Sequence, residues 1–544
     1  MSINAFKNYL LLVIPTILAG FLIAQFSLSV FLIFALIIGI LFVFKYPDKT
    51  LLVLIFYLPF QIAFNISSGI DLASGRVLIM VIFGIWFFKS LAERKIIIAK
   101  NIQTFLLFLF LSLALFSFLQ AWDLERAARK FLVFLSIFPL YFLITSLSVP
   151  NSFSLRREKI NSPLMKEGIG RVQQISNFQS PISNFISKIL NAIFLSAIIL
   201  SIIGIVQFTL QFIIGIDPIM NFWKDNIASI FYGRSFGAEV ISNPSWLVNI
   251  GGVTILRSFS LFPDPHMFSF YLGLIIPIPL AFLLIPLSGG GWGWVKSARG
   301  KPTPNPSQER NNLAQLYPKR GLILFLIFLT FLILLIAELL TFSRGGYLGM
   351  IFGIGTVIIL GWRFISFNKK IFLGIISATL ILFILFAAQP ILNRFISISD
   401  LSEGSNIGRL AIWQEANEVW QNHFFWGVGL GNYSVEINPA ADYRTPIYAH
   451  NVYLDIATEM GVFSLLTWLG LFLITSVQLF QRSRKADDNF TRALSLGLCG
   501  SLIWFFVHCF FDTPIYSPKI LAMLMVIFAL SATVIKSPRF LSKN

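Results

Sequence analysis

The chain has 544 residues, of which 56% are hydrophobic and 12% charged, and 41 Lys and Arg against 24 Asp and Glu give a net charge of +17. This is the composition of a membrane protein and excludes an ordinary soluble domain. The basic residues lie mostly in short loops between apolar runs rather than on one soluble face, which argues against nucleic acid as a partner.

In chain order, about fourteen apolar segments are long enough, or nearly so, to cross a bilayer. They cover 8–25, 27–44, 51–65, 76–90, 103–120, 128–148, 187–213, 266–287, 321–341, 346–364, 371–389, 451–480, 492–511 and 519–535. The third and fourth are short, so twelve is the lower count. The expected fold is therefore an all-α, polytopic bundle of transmembrane helices. The first run continues into the second without a small-residue cleavage site, so no signal peptide is expected. With the N-terminus in the cytoplasm, most Lys and Arg fall in inside loops, as the positive-inside rule requires, and the C-terminus is also cytoplasmic.

The same pass divides the chain. Residues 1–149 hold N-terminal spans, 150–186 a polar cytoplasmic insert, 187–480 the core, and 481–544 the last spans with a basic tail. Within the core, 288–320 is a second cytoplasmic insert. Both inserts are Pro/Ser/Asn-rich without apolar period and are expected to be flexible. The outside loops 214–256 and 390–450 mix aromatics, Gly and Asn with charge and are expected to fold. In the second, GRLAIWQEANEVWQNH reads as an amphipathic helix with Leu410, Trp413, Ala416, Val419 and Trp420 at helical spacing, and WGVGLGNYS as a Gly-rich turn.

Four charged or titratable residues sit at breaks between apolar segments on the outer side. Arg257 lies in RSFSLFPDPH, held by two prolines before a helix. Arg344 precedes Gly345 and Gly346 at a helix start, where free N–H groups and a guanidinium suit an anion and the glycines would let it approach. Arg409 sits in the cap helix beside Trp413. His450 opens a span whose residues Asn451, Asp455 and Glu459 recur every four, making one polar stripe. A carboxylate at depth costs roughly 2.5–3.5 kcal/mol, so that stripe is expected to face protein or water. The bland alternatives are an interfacial anchor for Arg344, a lone lipid-phosphate contact for Arg257, a solvated surface charge for Arg409 and a helix-capping interfacial histidine for His450. His508 and Asp512, four apart, are an alternative base and orienter, and His266 at another helix start is a weaker candidate. Four histidines without HxxxH, and Cys499 and Cys509 about 15 Å apart on one helix, point to neither metal, cofactor nor disulfide.

Three arginines can neutralise a diphosphate, and a histidine can take a proton from an attacking hydroxyl; together they suit displacement of a sugar from a diphosphate. With no GxxxxGK[ST] and no soluble nucleotide-binding domain, a lipid-linked donor fits better than a nucleotide sugar. The succession RSFSLFPDPHMFSFYL, SRGGYLG, GRLAIW, GVGLGNYS and AHNVYLDIATEMGVFSLL, over residues 250–480, resembles the O-antigen ligase and O-antigen polymerase superfamily. The resemblance implies a GT-C-like glycosyltransferase of the bacterial inner membrane. It would move a glycan from undecaprenyl diphosphate to a lipid A–core, polysaccharide or protein acceptor at the periplasmic face. Arg257 and Arg344 would hold the diphosphate, Arg409 assist and His450 activate the acceptor. His266 stands where the family often has Asn, and two spans and two inserts exceed the usual pattern. A bicarbonate-uptake-related transporter is the main rival and a glycan flippase the second. Neither an inverted repeat nor paired broken helices appears in the sequence.

Overall fold

The computed structural model describes residues 43, 45–67, 70–94, 98–148, 181–242, 244–250, 252–285, 306–365, 404–441 and 447–536. Ten helices among them are long and apolar enough to cross a membrane. Numbered with the helix that caps them, they are α1 (Ser74–Ala92), α2 (Ile102–Gln120), α3 (Leu124–Leu147), α4 (Ile182–Ile214), α5 (Pro265–Leu284), α6 (Gly321–Leu339), α7 (Arg344–Phe364), α8, the cap (Gly404–Asn422), α9 (Val452–Lys485), α10 (Asn489–His508) and α11 (Pro518–Lys536). The protein is an all-α polytopic membrane protein. The segments 8–25, 27–44 and 371–389 lie outside the described residues, apart from the end of 27–44.

Segment 51–65 is not a span. Its helix, Pro47–Tyr57, has 11 residues, about 16 Å at 1.5 Å each, and the bilayer core needs about twice that. Pro59 then sits in a single 3₁₀ turn, and the chain enters a hairpin of β1 (Ala63–Ser67) and β2 (Ile70–Ala73). A second antiparallel hairpin, β3 (Leu247–Ile250) with β4 (Val253–Leu256), closes the loop 214–256, whose other described residues form mainly short helices. Asn65 Oδ1 and Asp71 Oδ2 accept the backbone N–H groups of Arg234 and Phe236, so the first hairpin caps a helix of that loop. Part of the second polar insert is ordered too: residues 306–320 form the opening turns of the 34-residue helix Pro306–Leu339.

Helix starts are written in short polar side chains, which accept the N–H groups a first turn leaves unpaired. Asn101, Asp123, Asp264, Ser343, Asn451 and Asp488 all do this. Packing between α7 and α10 rests on Gly345, Gly349 and Gly353, spaced by four on one face. Side chains of α10 fill the room: His508 lies against Gly345 and Trp504 against Gly349 and Gly353. Such small-residue stripes let membrane helices approach where no hydrophobic drive separates protein from lipid.

α9 is broken at Gly461 (φ 74°, ψ −180°). The Gly-rich turn after the cap helix enters the break. Val462 N–H donates to Phe424 O (3.0 Å) and Val428 N–H to Thr458 O (2.8 Å). The backbone groups freed by the kink are thus paired inside the protein, as a span requires. Gly427, Gly429 and Gly431 all have positive φ, which lets the turn lie flat against α9 and the α2–α3 corner.

Candidate functional site

One end of the bundle gathers the starts of α5, α7 and α9, the end of α10 and the cap helix α8. Arg257, Arg344 and His450 fall there as residues beside span ends, and Arg409 as a residue of the cap helix.

Arg257 follows β4 and is buried. Its Nε donates to Thr341 O (2.7 Å) and Nη1 to Ser245 O (3.0 Å), and both terminal nitrogens lie 3.5 Å from His266 Nε2. The guanidinium is therefore fixed against backbone carbonyls, with its plane beside an imidazole. His266 Nδ1 is 3.0 Å from Ser343 Oγ, which is also 3.3 Å from His508 Nε2. Ser343 additionally caps α7, accepting Gly346 N–H. Arg344, the first residue of α7, is buried. Arg257 and Arg344 are thus joined through His266 and Ser343.

The two glycines after Arg344 make room for protein, not for a ligand. A Cβ on Gly345 would meet His508 and Phe511, and one on Gly346 would meet Ser269 and Glu338. Their value is close helix packing, and the expectation that they open the backbone to an anion is corrected. Asn451 has a backbone role, accepting Tyr453 and Leu454 N–H as the cap of α9.

His450 is the most accessible member, with its side chain 49% exposed. Its backbone is left-handed (φ 49°), which costs about 1–2 kcal/mol for a residue with a Cβ and persists only where neighbours enforce it. Nδ1 lies 3.4 Å from Asp512 Oδ1, and the same oxygen accepts Thr513 N–H at 2.8 Å. The bond to Asp512 raises the His450 pKa above its ordinary value; burial opposes, and the charges of Asp512 and Asp455 outweigh the opposing charge of Arg409. Burial alone would lift the Asp512 carboxyl, but the His450 bond and charge hold it well below the usual range. Asp264, the cap of α5, goes the other way, pushed up to about 6 by burial and by the negative charge of Asp512.

Arg409 on α8 is partly buried, and its charge acts on His450, His266 and His508. All three arginines and His450 therefore belong to one neighbourhood. His508 is fully buried, stacks on Phe270 (centroids 3.5 Å, 8°) and turns Nε2 to Ser343. Among the described residues, no hydrogen bond joins it to Asp512, which pairs with His450 instead.

The polar stripe below His450 faces protein. Asp455 is buried; its Oδ1 accepts Ala449 N–H (2.8 Å) and its Oδ2 the Thr513 hydroxyl. Glu459 is buried against Lys130 Nζ (2.6 Å) and Tyr516 OH (2.7 Å), and Lys130 lies over the Tyr516 ring (4.0 Å). Sequence reasoning missed Lys130, Tyr516, Ser343 and Asp264. Lys130 had a signal: a cation inside an apolar span needs a counter-charge, and Glu459 is an anion with the same need. Ser343 and Asp264 carried the ordinary N-cap signature.

No curated protein matches the chain. Residues 329–469 match the family described as O-antigen ligase. That segment runs from the middle of α6 through Ser343, Arg344, the cap helix and His450 to beyond the kink in α9, so it is the stretch holding Arg344, Arg409 and His450 that is similar to the O-antigen ligase family.

Proposed function

We propose that this glycosyltransferase-like membrane protein moves a glycan from undecaprenyl diphosphate to an acceptor hydroxyl, on a lipid A–core or a growing polysaccharide, at the periplasmic face of the bacterial inner membrane. The observation that carries the reading is His450, exposed and paired with Asp512, in the neighbourhood of Arg257, Arg344 and Arg409.

The chemistry follows from the atoms. With Nδ1 directed at the Asp512 carboxylate, neutral His450 keeps its proton on Nδ1 and presents a lone pair on Nε2. Nε2 takes the proton of the acceptor hydroxyl as its oxygen bonds to the anomeric carbon. The bond from that carbon to the diphosphate oxygen breaks, and its electron pair leaves with the diphosphate. Attack opposite the leaving group inverts the anomeric centre. The negative charge then growing on the diphosphate is met by guanidinium groups, which are permanently charged. Arg257, locked by Thr341 O and Ser245 O, needs no reorganisation to supply its charge.

The test uses the full chain in lipid nanodiscs with an undecaprenyl-diphosphate glycan and an acceptor. His450→Ala is expected to lower transfer about 10²- to 10⁴-fold, the range for losing a general base, while the protein still inserts. Full activity of that variant would move the base to His508. In cells lacking the protein, single units still attached indicate a polymerase, and long lipid-linked chains left unattached indicate a ligase. Cysteines at 257, 344 and 450 that label from opposite sides of the membrane would defeat the shared periplasmic site.

A further inference from the structure

His450 and Asp512 stand on different loops, one before α9 and one after α10, 62 residues apart. Pairing them needs the two loops held in register. Asp455, one turn into α9, touches both. Its Oδ1 takes the N–H of Ala449, the residue before His450, and its Oδ2 takes the hydroxyl of Thr513, the residue after Asp512. Thr513 N–H in turn holds the Asp512 carboxylate. The other side of Ala449 is pinned as well, because Trp413 Nε1–H on the cap helix donates to Ala449 O (3.0 Å). These ties flank the left-handed His450 backbone and explain how it is kept there.

We propose that Asp455 is a positioning residue: a buried carboxylate that clamps the His450 loop to the Asp512 loop and so sets the geometry of the pair. It does not touch the reacting atoms. Its two oxygens are both spent on donors within the protein. The role of the pair in transfer rests on the function proposed above; the clamp itself does not.

Two bonds independent of Asp455 keep these loops near each other when it is changed. Val452 N–H donates to Cys509 O (3.0 Å), and Tyr453 OH donates to Phe506 O (2.5 Å). Substitution should therefore loosen the pair without unfolding the helix ends. Asp455→Ala removes both ties and is expected to lower kcat roughly 100-fold, the scale of a 1 Å misplacement, with KM for the lipid donor little changed because the arginines are untouched. Asp455→Asn is expected to stay within about 3-fold of the parent. Its amide oxygen accepts Ala449 N–H, and its NH₂ donates to the Thr513 hydroxyl, which can reverse to accept. Thr513→Val breaks one tie while keeping the Asp455 charge.

A second readout needs no transfer activity. His450 is exposed enough to be carbethoxylated by diethyl pyrocarbonate, and mass spectrometry of its peptide gives the pH midpoint of its reaction. The charged groups facing it are Asp512, Asp455 on α9 and Arg409 on α8. Thr513→Val should move the midpoint toward acid, because Asp512 is no longer held against the ring while every charge remains. An unchanged midpoint in Thr513→Val overturns the clamp. So does Asp455→Asn proving as inactive as Asp455→Ala, since charge would then matter rather than geometry. An active His450→Ala defeats the proposed base while the midpoint still reports on the clamp, so the two failures are distinguishable.

Discussion

α1 and α10 have nearly the same mean hydropathy, yet 22% of α1 and 72% of α10 are buried within the protein. The most apolar span, Gly321–Leu339, is only 28% buried, whereas α5 reaches 94%. Hydropathy therefore says that a helix crosses, not what surrounds it, because lipid tails are as apolar as a protein core. What separates the buried spans is their other residues. α10 carries Gly497, Gly500, Ser495, Ser501 and His508, each needing a partner or room to pack. α1 confines its buried small and polar residues, Ser74 and Gly75, to its first turn, and farther along Phe88 is 67% and Leu91 52% exposed.

The contrast is sharpest within α3, where two consecutive residues pair in different surroundings. Arg129 pairs with Glu125 at the surface, and Lys130 pairs with Glu459 in the interior. Lys130→Ala leaves the Glu459 carboxylate buried with only Tyr516 OH, and is expected to destabilise the protein by about 3–5 kcal/mol. Glu125→Ala, losing an exposed pair, should change stability by about 0–1 kcal/mol. Thermal unfolding in one detergent measures both. Equal effects would mean that water reaches Glu459 as freely as it reaches Glu125. The Lys130→Ala/Glu459→Ala double variant should recover part of the loss, because no lone charge is then left inside.

Asp512→Asn probes the exposed member of the site. In the parent, the raised His450 pKa means that the base form is lost as pH falls through that value, so transfer declines on the acid side. Removing the Asp512 charge lowers the His450 pKa, and the acid limb should move to lower pH. Because Asn accepts a weaker bond from Nδ1–H, kcat on the plateau should fall by about 10-fold, the loss of a charge-assisted hydrogen bond. A pH–rate profile of donor turnover checks both. An acid limb that stays in place would show that Asp512 does not govern the imidazole.

Most of the crossing helices were legible in the sequence, because a run of about twenty apolar residues has few other uses. Segment 51–65 was not, since its apolar residues belong to a helix stopped near Pro59 and then to a hairpin. Arg257, Arg344 and His450 were visible as charged or titratable residues beside span ends, and Arg409 as a charge in the amphipathic cap helix. Their partners were not: Asp512 reads as the i+4 neighbour of His508, and only tertiary packing turns it to His450, 62 positions away. Lys130 and Glu459, 329 apart, were hidden in the same way. Spacing along one helix is readable; pairing across helices depends on which faces meet, and here apolar residues lie on nearly every face.

Glycines offer the finest test of that limit, because burial rather than sequence decides their role. Gly353 on α7 lies against α10, and a Cβ there would stand 2.8 Å from Trp504 Cβ and 2.9 Å from the Gly500 carbonyl oxygen. A backbone oxygen cannot swing aside, so the helices must separate. Gly353→Ala should destabilise by about 1–3 kcal/mol, the usual range for overpacking. Among the described residues, no heavy atom lies within 4 Å of a Cβ placed on Gly84 of α1. Gly84→Ala should leave stability unchanged or raise it by about 0.5–1 kcal/mol through the lower entropy cost of fixing alanine in a helix. Both are mid-helix glycines in apolar spans, and nothing local in sequence tells them apart. Unfolding midpoints that shift alike for the two would mean that α7 and α10 do not pack along the Gly345, Gly349 and Gly353 face.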